Sequence, residues 1–104
     1  MEEREKQTVV LADNDPDFLE WASRHLDAES VEVVATRSAD EALKLFTERR
    51  ADLLVAAFEL RPFDGVELLK RVRMANPNAM VILNGRVHST NAVIEAMRLD
   101  HRVQ

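Results

Sequence analysis

Cysteine is absent from this 104-residue chain. That excludes a disulfide framework, a thiolate metal site and a thiol nucleophile, and it fits a cytoplasmic protein. Glycine is nearly absent: the two present leave no room for a glycine-rich phosphate cradle. No G-x-G-x-x-G, Walker A or G-x-S-x-G pattern occurs. Positive charge is in deficit, with 14 Lys and Arg against 19 Asp and Glu and a net charge of -5. This balance argues against direct nucleic-acid binding and against an anionic membrane surface. No apolar run approaches the length of a membrane span. The opening residues, Met1-Glu2-Glu3-Arg4-Glu5-Lys6-Gln7, are too charged for a signal peptide. Repeats and low-complexity linkers are missing too. Residues 1–7 read as a charged tail and 8–104 as one domain, long enough for a modest core.

What is present alternates. Val9 to Ala12 reads as a strand. Asp15-Pro16 then opens a helix, with Asp as cap and Pro at the first helical position. Phe18, Trp21, Ala22 and His25 fall on one face of it, and Trp21 is read as core. Val31 to Thr36 is a more alternating strand, expected at an edge. Ser38-x-x-Glu41 is a capping box and opens a second helix with Ala39, Ala42, Leu43 and Phe46 on its buried stripe. Leu53 to Phe58 is a continuous apolar strand. Asp64-Gly65 starts a third helix with Val66, Leu69 and Val72, and Asn76-Pro77 ends it. Met80 to Leu83 is a fourth strand. Ser89 to Leu99 reads as a fourth helix.

Alternating strands and helices, with strands apolar throughout, predict an α/β fold: a doubly wound parallel sheet of flavodoxin-like order 2-1-3-4. In that order the ends of the first and third strands lie side by side at the switch point. Asp13, Asn14, Ala57 and Glu59 then line one crevice. The acidic loop Asp13-Asn14-Asp15-Pro16-Asp17 delivers carboxylates there, while the third strand delivers only the methyl group of Ala57.

The order and spacing of these segments resemble the receiver domain of bacterial two-component response regulators over nearly the whole chain. Val9 to Pro16 is similar to that family's first strand and acidic loop, and Asp52 to Ala57 to its third strand. Pro62-Phe63-Asp64-Gly65 resembles the Pro-x-Asp-Gly turn that follows. Val81 to Gly85 resembles the fourth strand and switch residue, and Glu95 to Leu99 the fourth helix.

The resemblance implies a phosphoacceptor Asp at position 57, and the chain has Ala57, which carries no nucleophile. It implies two acids in the first loop; Asp13 keeps one, and Asn14 stands at the main metal-ligand position. It implies Ser or Thr at the switch position, now Asn84. It also implies a Lys at the end of a fifth strand, which the chain does not reach before Gln104, so the fifth strand and helix are missing or rudimentary. The expected site is therefore a degenerate phosphorylation pocket of Asp13, Asn14, Ala57, Glu59 and Asn84, with no catalytic residue. No cofactor is expected and no metal, with Asp13 and Glu59 as the weak candidates, because magnesium selects charged oxygens.

The leading reading is a non-phosphorylatable signalling module, not an enzyme, that works by protein–protein interaction. Two others stand beside it: a working phosphoacceptor that uses Asp13 or Glu59, and a structural dimerisation fragment of a longer regulator. Plain readings compete at single residues. Asp13, Asp15 and Asp17 complement a helix dipole, Glu59 fits a solvated loop, and Arg49-Arg50 fits a solvated helix face. Leu19, which widens the first helix's apolar stripe, and Met80, Ile82 and Val103 are the candidates for partner contacts. Met80 to Leu83 is an apolar edge in the order 2-1-3-4, and such edges invite self-association into homo-oligomers.

Overall fold

The structure is a computed structural model and describes residues 7–26 and 31–84. Four strands, β1 (Gln7–Ala12), β2 (Val31–Thr36), β3 (Leu53–Ala57) and β4 (Met80–Asn84), form one parallel sheet in the order β2-β1-β3-β4. Three helices connect and cover them: α1 (Pro16–Leu26), α2 (Ala39–Glu48) and α3 (Gly65–Ala75). The expected flavodoxin-like order is present. The fourth helix, Val103 and the question of a fifth strand lie outside the described residues. No helix among the described residues is long and apolar enough to cross a membrane.

The two faces of the sheet follow from the two-residue period of its strands. Val10, Ala12, Leu54, Ala56, Val81 and Leu83 point to one face, where α2 and α3 bring Ala39, Ala42, Phe46, Leu68, Leu69 and Val72. Val9 and Leu11 point to the other, where α1 brings Leu19 and Ala22, with Val31, Val33, Leu53 and Val55 partly buried around them. The chain leaves β1 leftward for β2 and then runs rightward to β3 and β4. Right-handed crossovers therefore put α1 on one side and α2 and α3 on the other.

The ends of the elements show how local chemistry fixes them. Asp15 caps α1: its carboxylate accepts from the Asp17 and Phe18 amides at 3.0 and 3.4 Å. Asp64 caps α3 by accepting from the Glu67 amide at 2.8 Å. At α2 only half of the expected capping box forms. Ser38 Oγ accepts from the Glu41 amide at 3.4 Å, but the Glu41 carboxylate takes the Thr36 hydroxyl instead, and Thr36 Oγ1 accepts from the Ser38 amide at 3.1 Å. A buried hydroxyl at the end of β2 has displaced the reciprocal arm.

Three expectations need correction. Leu19, read as a partner contact, is buried against Val9, Leu11 and Ala22. Trp21, read as core, is 57% exposed, and His25 is exposed as well. Leu19 and Ala22, three apart, are the pair that docks α1, so the aromatic stripe sits further round the helix than its periodicity alone suggests. Gln7, assigned to the tail, opens β1 opposite Val31. Below it Asp52 Oδ2 accepts from the Thr8 amide at 2.8 Å, and the Asp52 amide donates to the Thr8 carbonyl at 2.8 Å. Those bonds tie the start of β1 to β3.

Candidate functional site

The carboxyl ends of β1, β3 and β4 meet at one edge of the sheet. Ala12 is in register with Ala56, so Asp13 and Ala57 each follow on neighbouring strands. Ala57 is in register with Asn84. Adjacent strands lie about 4.8 Å apart, so Asp13, Ala57 and Asn84 form a row across the top of the sheet. The Asp13 amide donates to the Thr36 carbonyl at 3.1 Å, which carries the pairing one residue beyond β1.

Each predicted residue then has a definite place. Asp13 is half-buried, and its Oδ1 accepts from the Asp15 amide at 2.9 Å, an Asx-type turn that shapes the acidic loop. Asn14 is exposed and reaches across the crevice: its Nδ2 donates to the Glu59 carbonyl at 2.7 Å. Ala57 is buried, and Glu59 and Asn84 are exposed. The Asn84 carbonyl accepts from the Phe58 amide at 3.3 Å, which carries the ladder past Ala57. All five residues lie at or just beyond the carboxyl ends of β1, β3 and β4. Among the described residues, no group of three or more acidic, histidine or cysteine side chains stands close enough to hold a metal ion.

Two features of the site were not foreseen. The first is the Asn14–Glu59 tie, which joins the β1–α1 loop to the β3–α3 loop through a neutral amide. Asn at position 14 was read as a lost ligand, and nothing in its spacing identifies a carbonyl 45 residues away as its partner. The second is Gly65. A Cβ built there lies 2.2 Å from the Ala57 carbonyl oxygen and 3.1 Å from the Phe58 Cα. The Gly65 amide also donates to the Phe58 carbonyl at 2.8 Å. The first turn of α3 therefore presses directly on the backbone at the end of β3. The dipeptide Asp64-Gly65 at a helix start was the available signal.

The chemistry available to this row is limited. The position at the centre, Ala57, offers a methyl group. The nearest carboxylate on β1, Asp13, holds its own loop. Asn14 and Asn84 supply amides, which donate and accept hydrogen bonds but carry no charge.

Comparison with known proteins places this geometry in a family. Residues 9–102 match the response regulator receiver domain. The chain belongs to that family. Among known proteins, the transcriptional regulatory protein GlrR of Escherichia coli K12 is 27% identical over 75 residues, 72% of this chain and 17% of its own length. The heme response regulator HssR of Staphylococcus saprophyticus is 25% identical over 79 residues, 76% of this chain and 35% of its own. The chain thus spans well under half the length of these relatives. Solved receiver domains share the fold. A CheY-like receiver domain protein from Methanospirillum hungatei superposes with a TM-score of 0.84 at 20% identity, covering 90% of this chain and 75% of that one. The signal receiver domain of an HD domain-containing protein from Pseudomonas fluorescens gives 0.83 at 24% identity, covering 93% and 71%. This receiver domain therefore has its family's sheet order and crossovers.

Proposed function

We propose that this receiver domain takes no phosphoryl group and signals by protein–protein interaction in two-component-type transduction, as a cytoplasmic module without catalysis. One observation carries the reading: the centre of the row at the carboxyl end of the sheet is Ala57, buried and flanked by Asp13 and Asn84 across neighbouring strands. An aspartyl phosphate needs a carboxylate oxygen as nucleophile, and a methyl group has none. The Asn14–Glu59 bond supports the same reading, because it spends a loop carbonyl on an amide within the chain. Asp13 as a substitute acceptor is less favoured, since its carboxylate is engaged with the Asp15 amide in its own loop. Incubation with acetyl phosphate and magnesium tests the proposal. The intact mass stays unchanged if it holds, and a stoichiometric gain of one phosphoryl group contradicts it.

The partner is a protein, and a second copy of the chain is one such partner. β4 is the edge of the described sheet, with Ile82 half-buried and Met80 42% exposed on it. Apolar edge strands favour association. Light scattering over a wide concentration range tests this: the mass rises toward a dimer if it holds and stays monomeric if it does not.

A further inference from the structure

The outward side of α1 carries Asp17, Phe18, Trp21, Arg24 and His25, at spacings i, i+1, i+4, i+7 and i+8 along one stripe of the helix. This stripe is distinct from Leu19 and Ala22, which dock the helix. Trp21 is 57% exposed, Asp17, Arg24 and His25 are exposed, and Phe18 is half-buried. The rings form a ladder, with Phe18 and Trp21 centroids 6.3 Å apart and Trp21 and His25 centroids 4.5 Å apart. His25 Nδ1 lies 2.8 Å from the Trp21 carbonyl, within hydrogen-bond reach. The ladder is therefore held in place before any contact is made, which lowers the ordering cost of docking. A large exposed aromatic on a preset surface is the usual anchor of an interface.

The stripe is acidic on one side of Trp21 and basic on the other: Asp17 lies four residues before it, Arg24 three residues after it and the imidazole of His25 four. We propose that the stripe is a self-complementary docking surface for a second copy of this chain, with two α1 helices antiparallel about a twofold axis at Trp21. Each residue a given distance before Trp21 then meets the partner's residue the same distance after it. Asp17 meets the partner's His25, Phe18 meets the partner's Arg24 in a cation–π contact, and the two indoles pack on each other. Antisymmetry of this kind is what an isologous contact needs and what an unrelated partner does not require. A parallel pairing sets Asp17 on Asp17 and Arg24 on Arg24, so like charges fix the orientation as well. Arg24 pairs with Glu20 at 2.5 Å in the single copy, but both side chains are about 70% exposed, and such a pair is readily rearranged. One short helix face is a small interface, so the dimer is weak and reversible. The inference rests on the self-association proposed above and assigns it a surface apart from β4.

Trp21 is the sole tryptophan, so its emission reports on this surface alone. The full chain is followed over a wide concentration range by sedimentation and by Trp emission with iodide quenching. The expected result is a mass rising toward a dimer, with emission moving to shorter wavelength and becoming protected from iodide at the same midpoint. Asp17→Arg sets like charges opposite each other and weakens association by about tenfold or more, and Asp17→Arg with His25→Glu restores it. Circular dichroism and a denaturant melt of the single variant check that it folds. A dimer that forms with no change in emission overturns the α1 surface and leaves self-association standing. A monomer at every concentration overturns both. Blue-shifted, protected emission in a persistent monomer shows that the stripe is covered within one chain, and overturns the proposal. An unaffected Asp17→Arg variant does so too.

Discussion

Gly65 and Ser38 set the local geometry at the starts of α3 and α2. Because the nearest atom to an added Cβ at Gly65 is the backbone carbonyl of Ala57 at 2.2 Å, neither partner yields by a side-chain rotation. Gly65→Ala is expected to destabilise the domain by about 1–3 kcal/mol, the cost of an overpacked contact. A denaturant midpoint equal to wild type would contradict the close approach. Ser38 Oγ caps α2 and hydrogen-bonds the Asp40 carboxylate, and this bond holds the Asp40 carboxyl below its ordinary value. A carboxyl lowered in the folded state stabilises the fold above its unfolded pKa. That contribution fades as the pH falls through the folded value. Ser38→Ala should cost about 1 kcal/mol near neutral pH, with a smaller difference from wild type in acid. Denaturant melts at both pH values check it. Caps of the Asp15 and Asp64 kind were legible in the sequence because one side chain and one amide two or three residues away decide them. The full capping box was not, because Thr36, a residue from a strand, competes for Glu41.

Helix ends and helix faces separate what a local pattern determines from what packing determines. α2 stops in a Schellman turn: the Arg50 amide donates to the Thr47 carbonyl at 3.3 Å and the Ala51 amide to the Phe46 carbonyl at 3.0 Å. Arg50 holds φ at 51°, in the left-handed region, and buried Ala51 sits near buried Phe46 as the motif's apolar contact requires. Arg49-Arg50 looked like a solvated face because no glycine marks the stop. Arg50→Gly should stabilise the domain by about 0.5–1 kcal/mol, since glycine takes this conformation without the Cβ penalty. A lower melting temperature for that variant would contradict the reading. For α1 the sequence supplied the helix and its start but not its rotation. Leu19 and Trp21 are both apolar, and only the shape of the sheet face over β1 and β2 decides that the leucine is buried and the indole exposed.

At the scale of the whole molecule the topology was the most legible property. Apolar runs at Val9 to Ala12 and Leu53 to Ala57, separated by capped helices, leave few arrangements once crossovers are right-handed. The same topology brings Asp13, Ala57 and Asn84 into one row, and so the pocket was readable as a set of positions. The Asn14–Glu59 tie was not, because it depends on the path of two loops. The composition of this row bears on metal dependence. Cation affinity in oxygen sites follows ligand charge, and this row offers amides and a methyl group beside Asp13. Thermal melts with and without millimolar magnesium should nearly coincide. A clear rise in melting temperature would show selective binding to the folded state and contradict the proposal.

The central claim, that the pocket has lost its acceptor, is tested most directly by intact mass after incubation with acetyl phosphate and magnesium, with Ala57→Asp run alongside. The account predicts no gain for the wild-type chain, whatever the variant does, because only the variant has a carboxylate in the middle of the row. One phosphoryl group on the wild-type chain, mapped by fragmentation to Asp13 or Glu59, would contradict it.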